Sequence, residues 1–541
     1  MPIKSIAGYK ILEPDDSYSK KYWPQITKIV KDNYGEKEII EYQSVQTVLR
    51  HCFAFFCQSF INLLNQKPKA SFFVFVHDIH EDSIDLWRLK DQDLPINGED
   101  LAGARRIMKC IIEQGCNLDL EGHPILYKEI CEQFESYSKH LDELAYIGRK
   151  AIEYSEYIAR SQICPHSIGV KIEDGELTIF IYPPFNGLFK FFFEDHSKHS
   201  GSIVASNCIP EIKNILAEQF NVSYDHLCDF IFIQRNNPHF RFALSRKGDL
   251  ITQMHKAYSY SSEFLNTFYS GLTISKANVM SFEDCLLKTQ DKRRYMYRPI
   301  VEYIIDGEPY WIVGANKWSE SLSQLSANCF PFGQFPDEWS AITPLQKFIR
   351  KVANTHDSVL ENPAIEVLQN KNLKFDRNIK NLKRSNNQNI SLIKKNVGEI
   401  DLVFLDEQGE TIYLAECKHN RSRYEYNNWK RDIANFRSTY EKQLENKFIW
   451  ASNNKTQLLE HFEILYSYKI SDKNKYRVIP LFIINAPTLY MYDSDYIVFT
   501  LHDLEMFLNN QHITREFEGE IRGKKVKIKK PYFRNAEKYF D

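Results

Sequence analysis

Gly398-Glu399-Ile400-Asp401-Leu402-Val403-Phe404 and, shortly after it, Leu414-Ala415-Glu416-Cys417-Lys418 are the stretches from which the rest of the chain is read. Between them Asp406-Glu407-Gln408-Gly409-Glu410 is polar with one glycine, the composition of a turn joining two half-buried strands. Side chains alternate across a strand, so Leu414, Glu416 and Lys418 share one face and Ala415 and Cys417 the other, while Asp401 shares a face with Glu399 and Val403. If the two faces coincide, Asp401, Glu416 and Lys418 converge. Two carboxylates that close repel unless a cation lies between them, and hard oxygen donors suit Mg²⁺, with Mn²⁺ as a substitute. The main-chain carbonyl of Cys417 is a further candidate ligand. Lys418 then lies where it can polarise an attacking water or stabilise charge developing on a phosphate, the arrangement expected for phosphodiester hydrolysis.

Asp401 followed by Glu416-Cys417-Lys418 resembles the Asp…(Asp/Glu)-x-Lys signature of the PD-(D/E)XK, or restriction-endonuclease-like, nuclease superfamily, and Gly-Glu-Ile-Asp is a frequent form of its first half. The resemblance covers about the last two hundred residues. It implies an α/β fold with a mixed sheet flanked by helices, a Mg²⁺-dependent endonuclease activity, and a helical carboxylate before the first core strand. Glu361 has the spacing for that carboxylate, as catalytic residue and metal ligand, and Glu366 is the alternative; Pro363 leaves open whether Glu361 lies in the first helical turn or outside it.

The order of elements agrees with this family. Thr343-Pro344-Leu345-Gln346 has the form of a capping box opening a helix, and a second helical pattern runs through Leu360, Ile365 and Leu368. Leu373–Ile379 is expected as the first strand. After Lys418 comes an amphipathic helix with its apolar stripe at Trp429, Ile433, Phe436, Tyr440 and Leu444. Phe448-Ile449-Trp450-Ala451 is expected as a strand, Leu458–Leu465 as a helix, Val478–Ile484 and Tyr496–Thr500 as strands, and a short helix follows Thr500 with Asp503 three residues on.

Glu-x-Lys alone is common on exposed strands, where it supports only a weak ion pair. The apolar run before Glu416, the adjacent Glu-Ile-Asp strand and the flanking order of elements raise it above that background. Cys417 reads as a packed core residue and His419 as a surface or phosphate-contacting residue.

Basic residues gather around the same stretches. Lys380, Lys383, Arg384, Lys394 and Lys395 precede the hairpin, Arg421, Arg423 and Lys430 follow it, and all are candidate phosphate contacts. Charge runs are otherwise solvated faces, and the tail from Arg522 to Lys530 is evenly balanced between the two readings. The formal net charge of −2 excludes a protein that coats nucleic acid over its whole surface.

At 541 residues the chain is long enough for two or three domains, expected at residues 1–165, 166–340 and 341–541. The first two are expected to be α+β, with the second serving recognition, sensing or assembly. Ser71–Val76, Leu177–Tyr182 and residues 188–193 read as aromatic-rich strands, Asp100–Gln114 and Leu126–Ile158 as helices, and Val301–Val313 as a hairpin turning at Asp306-Gly307. Phe330–Pro336 reads as the connector into the last domain. Two further clusters, His77-Asp78-Ile79-His80-Glu81-Asp82 and Glu194-Asp195-His196 with His199, read better as polar strand-end turns than as metal sites.

Eleven cysteines without a CxxC pair indicate neither a zinc ribbon nor a disulfide framework, and point to reduced thiols in the cytoplasm. Val45–Leu64 carries Arg50, His51, Gln58 and Asn62, which favours a buried helix over a membrane span, and the charged amino terminus does not read as a signal peptide. No phosphate-cradling glycine loop is present, which argues against a built-in ATPase. The expected function is therefore a nuclease acting on nucleic acid, with DNA favoured over RNA on family frequency, in restriction or anti-phage defence, as a homodimer or with a partner protein. An RNase of the same fold and a catalytically silent nucleic-acid-binding or assembly protein are the alternatives.

Overall fold

The computed structural model describes residues 3–13, 17–35, 38–89, 97–122, 127–181, 208–233, 242–355, 358–384, 389–421, 423, 425–511, 517–521 and 524–528. Its fold is mixed α/β. Contacts divide the chain into one unit of Met1–Ile158, Ile168–Phe180 and Asn207–Ala353, and another of Ala159–Ser167, Ile181–Ser206 and Asn354–Asp541.

The second unit is built on a five-stranded mixed sheet in the order Lys374–Ile379, Ile400–Asp406, Thr411–Lys418, Arg477–Ile484 and Ile497–Thr500. The first three strands are antiparallel and the last two run parallel to Thr411–Lys418. Alternation along the strands produces two cores. Val403, Leu405, Ile412 and Leu414 pack with Trp429, Phe436, Leu444 and Ala451 on one face, while Leu402, Phe404, Ala415 and Cys417 pack with Leu360, Ala364 and Leu368 on the other. Ile400–Asp406 and Thr411–Lys418 are thus covered on both sides, which is why their inner positions are apolar with little interruption.

The expected elements around the hairpin form at Ser358–Asn370, Lys374–Ile379, Lys455–Tyr466, Arg477–Ile484 and Ile497–Thr500. Thr500 opens the helix Leu501–Leu508 with a full capping box completed by Asp503. Phe448–Ala451 is a correction: it is not a strand but part of the helix Glu441–Asn453. The helix Tyr426–Asn435 continues into it through a π-helical turn at Phe436–Tyr440, so the apolar stripe runs on past Leu444 to Ala451.

In the first unit Ile300–Ile305 and Glu308–Gly314 form the expected hairpin, with Asp306 at φ 49° and Gly307 at φ 84° in the turn. Phe242–Arg246 extends this sheet on one side and Asp119–Leu120 and Thr273–Ile274 pair with Ile300–Ile305 on the other. Glu176–Ile181 is a strand and Gly98–Gly115 a helix, as read from the sequence, and a short helix Tyr127–Glu132 precedes the long one, Phe134–Ile163.

Ser71–Val76 is not a strand; it lies inside the helix Ala70–Leu89, whose residues are mostly buried, so the aromatic run that imitates a strand is a helix packed on several sides. His77–Asp82 therefore belongs to a buried helix rather than to a turn. Phe330–Pro336 is no bare connector either: Phe330 and Phe335 stack at 4.7 Å in a core with Trp339, Leu345 and Phe348. Tyr42–Leu64 is the one described helix long and apolar enough to cross a membrane; Val48, Leu49, Phe56 and Phe60 along it are buried in the first unit. Residues 188–193 and the cluster at residues 194–199 lie outside the described residues.

Candidate active site

The hairpin closes because its turn is locally over-determined. Asp406 accepts from the N–H of Gly409 at 2.9 Å, and a Cβ on Gly409 would come within 2.3 Å of the same carboxylate, so a larger residue there would push the Asp406 side chain out of this bond. The resulting register pairs Leu402 with Ala415 and Val403 with Leu414. Continued by one residue, it sets Asp401 across from Glu416.

The acidic pair is joined through the backbone: the N–H of Cys417 donates to Asp401 Oδ2 at 2.9 Å. Lys418 Nζ donates to Glu416 Oε1 at 2.8 Å and lies 4.8 Å from the centre of the Tyr440 ring. A second lysine completes the group. Lys447, on the helix Glu441–Asn453, donates to Glu416 Oε2 and holds its Nζ 3.4 Å from Asp401 Oδ1. Glu416 and Lys447 are buried, at 3% and 6% exposure, so these charges interact in a medium much less screening than water. Burial pushes the Asp401 carboxyl up to about 6 and Glu416 adds to the rise; Lys447, Lys418 and the Cys417 N–H oppose it.

Gly398 borders this arrangement. It adopts φ +86°, and a Cβ there would stand 4.0 Å from Lys447 Cε. The glycine of the Gly-Glu-Ile-Asp lead-in therefore lines the lysine stem as well as turning the chain into the strand.

Glu361 lies in the first turn of the helix Ser358–Asn370 with Pro363 inside that helix, and it is buried. Its Oε2 accepts from Asn378 Nδ2 at 3.1 Å. Asn378 occupies the place across from Asp401, between the pairs Arg377–Leu402 and Ile379–Ile400, and has a left-handed φ of 51°. Glu361 raises the Cys417 thiol electrostatically along with Asp401 and Glu416, after burial as the main cause, so it is close to the hairpin. Among the described residues no three His, Cys, Asp or Glu side chains form a metal-holding group. Glu366 is exposed. The Cys417 side chain is packed in the core, as expected. His419 is buried at 3% exposure, which corrects its reading as a surface residue.

The donor set tests whether Mg²⁺ suits the site. Two carboxylates on neighbouring strands, already drawing an ammonium between them, match an ion that takes one or two carboxylates and completes its shell with waters and substrate phosphate. Asp401 and Glu416 would hold it, and the Lys447 ammonium would have to yield the space.

The basic residues separate into two kinds. Lys380, Lys383, Lys394 and Lys395 are exposed around the two-stranded ribbon Asn381–Leu382 with Ile390–Ser391. Because Ile379 pairs with Ile400, this ribbon starts beside the Asp401 end of the sheet, where Lys380 meets Glu399 at 3.2 Å. Others carry internal contacts. Arg423 pairs with Asp432 at 2.7 Å, Arg384 with Glu460 at 3.6 Å, and Lys430 donates to Gln162 at 2.8 Å. Arg421 is half-buried. In the tail the structure describes only the hairpin Phe517–Ile521 with Lys524–Ile528, by its backbone.

Lys447 and Asn378 were missed in the sequence. Lys447 follows Leu444 by three residues on the helical stripe, so extending the 3.6-residue period would have exposed a lysine on the buried face. Comparison with protein-family models, with curated proteins and with solved structures finds no match for this chain.

Proposed function

We propose that the chain is a metal-dependent nuclease that hydrolyses phosphodiester bonds of nucleic acid, with DNA the favoured substrate. The observation that carries this reading is the convergence of Asp401, Glu416 and Lys418 at one end of a central strand pair, next to an exposed basic ribbon. Mg²⁺, when bound, supplies Lewis acidity at the phosphate and lowers the pKa of the attacking water.

The chain's own groups would then act as follows. Asp401, fixed by the Cys417 N–H, presents one carboxylate oxygen to the cation, and Glu416 presents another from the neighbouring strand. Lys418 stabilises negative charge gathering on the phosphate in the transition state, its ammonium oriented by the Tyr440 ring. Lys380, Lys383, Lys394 and Lys395 hold the backbone of the strand by charge, without reading its sequence.

One observation favours a second reading. Lys447 fills the gap between the carboxylates, and a lysine kept there permanently would make the domain a silent nucleic-acid-binding module. Incubating the full chain with plasmid, linear duplex DNA, single-stranded DNA and RNA, with Mg²⁺ or with a chelator, separates the two. The nuclease reading expects cleavage that needs Mg²⁺. Binding without cleavage of any substrate supports the silent module.

A further inference from the structure

Two helices of the first unit bring three cations to one carboxylate, and a third adds a histidine. Arg105 and Lys109 lie one turn apart on Gly98–Gly115, Lys317 and Glu320 lie on Ala315–Asn328, and His80 lies on Ala70–Leu89. Arg105 donates to one Glu320 oxygen, and Lys317 Nζ donates to the other at 2.7 Å. Arg105, Lys317 and His80 are buried, with the last two fully inaccessible. Lys109 lies within electrostatic range of Glu320, Lys317 and Arg105, yet its ammonium makes no hydrogen bond or ion pair among the described residues. Both ring nitrogens of His80 and Nε of Arg105 also lack a hydrogen-bond partner there.

The other nearby acids are engaged. Glu81 accepts from the N–H groups of Asn316 at 2.8 Å and Lys317 at 3.0 Å, capping the helix Ala315–Asn328. Glu113 accepts from Arg294 Nε at 2.8 Å, and Asp85 from Asn316 Nδ2 at 2.8 Å. Glu320 accepts from two of the three cationic side chains and leaves Lys109 without an acceptor among the described residues, and a buried cation is costly unless it is paired.

We propose that Arg105, Lys109, Lys317 and His80 form a binding site for a phosphate group, either free or carried on a small ester. A phosphate anion would supply the missing acceptor, and its oxygens accept from an ammonium, a guanidinium and an imidazole N–H. Burial and the neighbouring cations push the Lys109 ammonium down to about 7 against the pull of Glu320, and a bound anion would restore its charge. The site lies in the first unit and does not depend on the nuclease reading. It gives that unit a ligand of its own, which fits a role in sensing.

The test is calorimetry and thermal unfolding of the full chain with inorganic phosphate, pyrophosphate and adenosine monophosphate, in chelator so that divalent metal is absent. Binding to the wild type should weaken about tenfold or more in Lys109→Met, the loss expected for one charge-assisted contact. It should be retained or tightened in Glu320→Gln, where a competing anion is removed. Lys109 has no bonded partner to lose, so its variant reports on the ligand even if Glu320→Gln does not fold. Preference for the ester over inorganic phosphate identifies the source as a small organic phosphate, and the reverse as free phosphate. Absence of binding by all three probes, equal binding in Lys109→Met, or loss of binding in Lys418→Met instead would overturn the proposal.

Discussion

Lys447 holds its ammonium 3.4 Å from the carboxylate of Asp401, although the two residues lie on a helix and a strand separated by forty-six positions in sequence. The same ammonium donates to Glu416, so a single buried cation ties the acidic pair together. Lys447→Met leaves the buried Glu416 and the half-buried Asp401 to repel each other. Its metal-free stability should fall by about 3–5 kcal/mol, the cost of removing one partner of a buried pair, and Mn²⁺ should recover a large part of that loss. Denaturant titrations with and without Mn²⁺ measure both effects; a metal-free stability equal to wild type would show that Lys447 does not balance the pair.

Lys418→Met should lower turnover by about a hundredfold or more while leaving KM nearly unchanged, because in the proposed reaction the lysine acts on charge that develops only in the transition state. Steady-state kinetics on a cleavable substrate decide this. A raised KM at unchanged kcat would recast Lys418 as a substrate anchor.

How far the site was legible depended on which periodicity each segment obeys. The hairpin was readable because alternation along Ile400–Asp406 and Thr411–Lys418 and the turn at Gly409 agree on one register. Lys447 was not, because Phe448–Ala451 is a short apolar run that reads equally as a strand, and taking it so ended the helix just where the lysine enters the site. Ser71–Val76 failed for the same reason: a helix buried on several sides has no polar face to reveal its period. Asn378 carried no pattern at all, since its left-handed backbone and its bond to Glu361 exist only once helix and edge strand are packed.

Glu81 gives the first unit a pH dependence with a defined sign. Burial pushes its carboxyl from 4.5 up to about 7, opposed by the N–H groups of Asn316 and Lys317. Between those values the unfolded chain has released the proton and the folded chain keeps it, so this group's contribution to stability falls as pH rises and levels off above about 7. In Glu81→Gln that part of the slope should disappear. Denaturant unfolding across this pH window measures it, and an unchanged slope would assign the dependence to other groups.

Phe436 tests the packing that positions Tyr440 and Lys447. Its ring stacks on Tyr490 at 4.1 Å and meets Phe482 edge-on at 5.4 Å. Phe436→Ala should cost about 3–5 kcal/mol of stability and reduce turnover at temperatures where the variant remains folded. Full activity under those conditions would mean that the π-helical turn does not set the geometry of the site.

Whether Asp401 and Glu416 form the cation site at which phosphodiesters are cut is decided by single-turnover cleavage by wild type and Asp401→Asn in Mg²⁺, with both proteins shown to be folded. The substitution keeps the side chain's size and its capacity to accept from the Cys417 N–H while removing the negative charge. The wild type should cleave and the variant should be slower by about a hundredfold or more, the scale of removing a group that stabilises transition-state charge. Cleavage by Asp401→Asn at the wild-type rate would contradict the account.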